Sequence, residues 1–245
     1  MGNSNYNGDV GKRTREAERE YFTYHGHASA EEAKLNVERH VHEDLNPKGS
    51  QRECCESEEH PDVCPIVVAF DVTRSRGDDA KVVFGKLPMF IGQIIMKDYV
   101  NHPEISFCAI GDVTCDMAPL QVGQFESDNR LDDILGKTWL EEGGGGTGQE
   151  SYEYAAYYYA RKVMLDCNKR GKKGYFFFTG DEGFYPKLRK EDVERITGDK
   201  LEGDLDSKKI FAELKKKFHV FFIYPKATWE QRKEDIDAEI KKLGA

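Results

Sequence analysis

The sequence predicts an α/β fold: a doubly wound, mainly parallel sheet with helices on both faces and one antiparallel edge strand. Three observations predict it. Short apolar runs recur at 65–70, 105–110, 175–179 and 219–224, and stretches of helical period separate them. The runs read as continuously apolar rather than alternating, as strands buried on both faces do. Each crossover between parallel strands must lay a helix over a sheet face, so the alternation implies layers.

Residues 1–50 are rich in Asn, Gly, Arg, Glu and His and read as a polar N-terminal arm, partly helical or flexible. Ser29 is placed to cap a helical stretch that runs to about His42, with Glu32 completing a capping box. Only Ala33, Leu35, Val37 and Val41 are apolar there, too few for a wide buried stripe. Asn46-Pro47-Lys48-Gly49 supplies turn chemistry, and the globular domain spans 51–245.

Within that domain, the strand at 65–70 stops at Asp71. A helix is expected over 80–99, broken near Pro88, followed by the second buried strand at 105–110. After Gly111-Asp112 the chain returns at 118–125 as an antiparallel edge strand, and 128–135 suits a short helix. Gly143 to Gly146 cannot sit inside a stable helix, so they open the one expected over 150–168, with Ala155, Ala156, Tyr159 and Val163 on one face. Helices at 187–196 and 206–218 alternate with the strands at 175–179 and 219–224, and 228–243 is a last helix.

Composition narrows the functional classes. The 45 acidic residues outnumber the 36 basic ones, for a formal net charge of -9. That balance argues against nucleic acid, whose binding draws on clustered Lys and Arg. The basic runs at 169–173 and 215–217 lie beside acidic neighbours and read as solvated helix ends. No stretch approaches the roughly 20 apolar residues that span a bilayer, and the first forty residues lack a secretory apolar core, so a cytoplasmic chain without membrane contact is expected. The six cysteines form no dense disulfide framework. Cys54, Cys55, Cys64 and His60 cluster in sequence, but one adjacent pair without a second knuckle is poor zinc spacing.

In open sheets of this kind ligands bind beyond the carboxyl ends of the strands, where the strand order reverses. That edge should carry Asp71-Val72-Thr73-Arg74-Ser75, Gly111-Asp112, the segment 147–151 and Gly180-Asp181-Glu182. These residues offer hydroxyl and carboxylate oxygens, the hard donors that suit magnesium, manganese or calcium. Asp71 and Ser75 have a blander use as caps of the following helix. The glycine run lacks the Lys-Ser or Lys-Thr pair and the preceding strand of a phosphate-binding loop. The tyrosines at 152, 154, 157, 158 and 159 read mostly as core and rim, and Asp112 and Asp116 as turn residues.

Asp71, Thr73 and Ser75 after a buried strand resemble the Asp-x-Ser/Thr-x-Ser element of the metal-ion-dependent adhesion site of von Willebrand factor A domains. The stretch 52–243 is similar to bacterial and phage members of that family, through Gly111-Asp112, the segment 118–126 and Glu150-Ser151-Tyr152-Glu153. The resemblance implies that a Thr from the helix-opening loop and an Asp after a later strand join the first loop on the cation. Asp181 resembles the latter with one residue inserted. For the former, Thr147 and Glu150 are the candidates, and counting back from Ala156 gives Ser151. Arg74 and Arg76 depart from the family pattern; they either weaken the metal or engage an acidic partner.

The function so implied is association, not catalysis: a cation with an open position, completed by an Asp or Glu of a protein partner. Family members of bacterial origin suggest an AAA+ ATPase or larger assembly as that partner. The chain stops before the family's last strand and helix, which would leave the strand with Phe221 and Phe222 as an edge open to a homo-oligomer. Two alternatives share these residues: a magnesium-dependent phosphohydrolase, for which Asp71 lacks a second carboxylate two positions on, and a metal-independent self-assembling scaffold.

Overall fold

The computed structural model describes residues 41–72, 86, 89–94, 96–141, 149–180, 182–224, 234 and 238. The apolar run ending at Asp71 forms β2 (Cys64–Asp71), buried from its second residue on. β3 (Pro103–Ile110) lies parallel on one flank, with Asp71 opposite Ile110. β7 (Gly174–Thr179) lies parallel on the other, with Phe70 opposite Thr179. β11 (Phe218–Ile223) continues parallel beyond β7, and β4 (Leu120–Val122) antiparallel beyond β3. The order β11-β7-β2-β3-β4 makes a mixed α/β fold on a central, mostly parallel five-stranded sheet.

Five α-helices are described in full: α1 (Arg130–Gly136), α2 (Tyr152–Arg161), α3 (Asp166–Lys169), α4 (Lys190–Thr197) and α5 (Ser207–Lys217). Positions 86, 89–94 and 96 are helical as well. Successive strand residues point to opposite faces, and the core divides accordingly. Val67 and Ala69 of β2 join a cluster with α2 and with Ile210, Phe211 and Leu214 of α5. Ile66, Val68 and Phe70 join another with Ile91, Ile94 and the α1 residues Leu131, Ile134 and Leu135.

Local chemistry sets the helix ends. Asp206 accepts from the Lys209 amide at 3.2 Å to cap α5, and Lys215, Lys216 and Lys217 sit in its last turn, where the helix dipole favours cations. α4 ends at Gly198 with φ of 79°, the left-handed conformation that glycine adopts without penalty.

All residues of α2 from Tyr152 to Ala160 are buried, so the five tyrosines are core, with no rim among them. A run of Tyr and Ala without a polar face is the mark of a helix buried all round. Three of its hydroxyls bond across the core: Tyr158 with Ser50 at 2.9 Å, Tyr159 with Ser106 at 2.5 Å and Tyr157 with Asp199 at 3.0 Å.

The helix expected over 150–168 is divided. α2 stops at Arg161, and the chain forms β6 (Val163–Leu165) before the short α3. The alternation of buried Val163, exposed Met164 and buried Leu165 suits a strand, and β1 (Arg52–Cys54) pairs with it in parallel. The edge strand expected over 118–125 contracts to β4, with one further antiparallel bridge between Ile105 and Glu126. In β7 only every second residue is fully buried, so that run is less enclosed than its apolar continuity suggests. Two small ladders complete the framework: β5 (Gln149–Glu150) with β8 (Gly183–Phe184), and β9 (Lys187–Leu188) with β10 (Leu205–Asp206).

Residues 41–50 pack on the domain. Leu45 is buried, the Gly49 amide donates to the Thr197 carbonyl at 3.0 Å, and Arg52 donates to the carbonyls of Asp44 and Val122. The arm up to residue 40, the start of the helix at 80–99, the glycine run and nearly all of 228–243 lie outside the described residues. Among those described, no helix is long and apolar enough to cross a membrane.

Candidate functional site

Because β2, β3 and β7 are parallel, their carboxyl ends form one edge, and pairing registers place Asp71, Ile110 and Thr179 within a residue of one level. Asp71 is 1% exposed, its side chain enclosed at the end of the central strand. Beyond it, the Val72 amide donates to the Ile110 carbonyl and the Val72 carbonyl accepts from the Glu141 amide. Thr73 and Ser75, with Arg74 and Arg76, lie outside the described residues, as do Thr147 and Asp181.

Glu150 is the other predicted ligand in view, 3% exposed at the end of β5. The next residue ties it to the same edge: the Ser151 amide donates to the Gly111 carbonyl at 3.3 Å, one residue past Ile110. Ser151, the alternative third ligand, has its hydroxyl engaged by the Val113 amide at 2.8 Å. Asp71 and Glu150 are thus brought to one edge through Ile110 and Gly111. Among the described residues no three His, Cys, Asp or Glu side chains converge as a metal ion requires. Of the six predicted ligands only these two fall within that range, and both supply hard carboxylate oxygen, so their chemistry fits magnesium, manganese or calcium.

Sequence reasoning left a ring of acidic residues outside the site. Asp112 is buried and accepts from the Thr114 amide at 2.8 Å, the Thr114 hydroxyl at 2.7 Å and the Tyr185 hydroxyl at 3.0 Å. The first of these is the turn role expected of it. Asp116 accepts from the Asp112 amide at 2.6 Å; burial, with the Glu141 and Asp112 carboxylates nearby, pushes its carboxyl up to about 6. Glu141 accepts from the Met117 and Ala118 amides at 3.0 and 2.8 Å, clamping the chain on its way into β4.

Glu153 is the most enclosed of these acids. It has no exposed surface and accepts from the Tyr185 amide at 3.3 Å, while its Oε1 has no hydrogen-bond partner. Burial raises its carboxyl well above the ordinary carboxylate range, with Asp112 adding to the shift. The signal for it lay in the α2 sequence: one Glu among Tyr and Ala has no polar face to occupy.

The cysteines are all free thiols. Cys54, Cys108 and Cys167 are buried, and burial pushes the Cys64 thiol up to about 11, which disfavours a thiolate.

No family model and no curated protein matches the chain. Among solved structures, similarity is found to the pilus adhesin SpaC from Lactobacillus rhamnosus GG. Its open conformation is 10% identical with a TM-score of 0.39 over 61% of this chain and 18% of that one. A second form is 12% identical with a TM-score of 0.38 over 60% and 19%. The chain thus spans about a fifth of the length of the proteins it matches.

Proposed function

We propose that this chain is a divalent-metal-dependent protein-interaction module of the von Willebrand factor A type, on a doubly wound sheet. A magnesium, manganese or calcium ion would be held by Asp71, Thr73, Ser75, Thr147, Glu150 and Asp181, and its open position completed by an acidic side chain of a partner protein. One observation supports the reading: Asp71 is buried at the edge where the carboxyl ends of β2, β3 and β7 meet, and the buried Glu150 precedes Ser151, whose amide bonds Gly111 at that edge. The cores on the two sheet faces support a doubly wound arrangement, in which the crevice between the β2 and β7 ends is the expected ligand position.

The test is thermal unfolding of wild type and Asp71→Ala with each cation and with EDTA. A cation bound to the folded state alone raises Tm, by about 2.7 kcal/mol of stability at a hundredfold excess over Kd. A rise in wild type that Asp71→Ala loses supports the reading; equal curves with every cation and with EDTA overturn it.

A second reading, a metal-independent self-assembling scaffold, is favoured by β11. Among the described residues it is an outer strand of the central sheet and leaves Phe221 46% and Ile223 53% exposed. Exposed apolar edge strands template pairing between chains. Phe221→Lys should then lower the mass seen by light scattering, with or without EDTA; an unchanged monomer mass in both proteins removes the scaffold.

A further inference from the structure

The carboxylate of Glu150 is presented by a weak element. β5 is a two-residue strand, paired in a two-stranded sheet with the equally short β8. A ladder of that size is marginal without outside support. Beside the Ser151 amide bond to Gly111, further support comes through the residue that follows β8, Tyr185, from three directions. Its amide donates to Glu153 Oε2 on α2 at 3.3 Å, and its carbonyl accepts from the Ser207 hydroxyl at the start of α5 at 2.6 Å. Its phenol hydroxyl is shared between Asp112 Oδ1 and Oδ2, at 3.0 Å to each.

The last of these closes a circuit. Asp71 pairs with Ile110, the chain runs on through Gly111 to Asp112, Asp112 holds Tyr185, and Tyr185 is adjacent to Phe184, which pairs with Glu150. We propose that Tyr185 is a positioning residue: its hydroxyl bond to Asp112 sets the distance between Asp71 and Glu150. The inference rests on the reading of those two carboxylates as cation ligands. A hydrogen bond with both residues on loops suits this role, since it fixes one segment against another without a continuous ladder. Positioning of this kind matters because ligand groups must be held to within a fraction of an ångström to act together.

Tyr185→Phe removes the hydroxyl and keeps the ring. Asp112→Ala removes the acceptor, and Asp112→Asn keeps an acceptor oxygen. Two readouts separate the tie from the metal. Amide exchange at Glu150 and Phe184, measured without metal, is expected to quicken about tenfold in Tyr185→Phe and Asp112→Ala and to stay near wild type in Asp112→Asn. Mn2+ affinity, read by titration and by the Mn2+ EPR line shape, is expected to fall about tenfold in the same two variants and to be largely retained in Asp112→Asn. Unchanged exchange in both disruptive variants overturns the proposal whatever the metal does. Faster exchange with unchanged Mn2+ affinity overturns the positioning role. Faster exchange in a protein whose wild type takes no Mn2+ leaves the tie between Tyr185 and Glu150 standing and removes the metal reading instead. If Tyr185→Phe fails to fold, Asp112→Ala against Asp112→Asn decides by the same readouts.

Discussion

Ser106 of β3 and Tyr159 of α2 are joined by a hydroxyl–hydroxyl bond of 2.5 Å with neither side chain reaching solvent. Ser106 also donates to the Gly123 carbonyl at 2.7 Å, which uses its single proton, so Tyr159 is the donor between the two hydroxyls. Burial raises the Tyr159 phenol well above its ordinary range, which keeps that proton in place. Ser106→Ala strands both a phenol and a carbonyl and should cost about 2–3 kcal/mol, whereas Tyr159→Phe leaves the Ser106–Gly123 bond intact and should cost about 1 kcal/mol. Urea unfolding of the two variants and the double mutant checks this: Ser106→Ala should cost less when residue 159 is already altered. Strict additivity would mean that the two hydroxyls do not act together.

Gly180 follows β7 at the candidate edge, and a Cβ built there would lie 1.8 Å from the Tyr152 hydroxyl oxygen and 2.7 Å from Cζ. Gly180→Ala should therefore destabilise by about 1–3 kcal/mol through crowding. Tyr152→Phe removes the nearer atom and leaves the ring carbon, so the double variant should recover part of the loss. Calorimetric Tm values give the comparison, and full recovery or none would each contradict this geometry.

Glu153 gives a pH signature. Its folded-state carboxyl titrates well above the unfolded value of 4.5, so the folded state holds the proton more tightly. Stability from this group is complete below pH 4.5 and is lost as pH rises toward the folded value, at up to about 1.4 kcal/mol per pH unit. Asp116 adds a loss of the same sign between 3.8 and about 6. Glu153→Gln abolishes only the first contribution. Its stability relative to wild type should climb between pH 5 and pH 8 in guanidinium titrations; a flat difference would show that Glu153 is ionised in the fold.

Thiol accessibility should sort the cysteines. Cys55 and Cys115 are exposed, Cys64 is partly covered, and Cys54, Cys108 and Cys167 are buried. An aromatic disulfide reagent at pH 8 should label the first two quickly, Cys64 more slowly, and the last three only on unfolding. Rapid labelling of Cys108, in the middle of β3, would contradict the strand pairing on either side of it.

How much of this was legible in the sequence depends on the range of the interaction concerned. The central strands were readable because each apolar run carries its own signal and Asp71 ends the first of them with a charge. α5 was readable to within a residue, since Asp206 caps it and its apolar positions recur at helical spacing. The break after Arg161 was not, because Val163 continues the four-residue spacing from Tyr159, and the strand that captures it, Arg52–Cys54, lies far away in sequence and is only three residues long. Near the candidate site, the position of Asp71 at the carboxyl end of the first central strand was legible, since the apolar run stops there. Asp112 was placed at that edge only as a turn residue and Glu153 only as part of a motif, and Tyr185 was not singled out, because what joins the three are bonds that span 32 and 73 positions of chain.

The strand order carries a consequence for synthesis. Val67 meets Ser106 on one side and Phe176 on the other, so β2 has one neighbour early and the second much later. At about 5–20 residues per second a ribosome delivers the second neighbour on the order of 4–14 s after the first. Throughout that interval one edge of the apolar β2 lacks its partner strand. Its greatest exposure to misassembly therefore belongs to the nascent chain, and a chaperone that shields β2 during those seconds would raise yield without altering the finished fold.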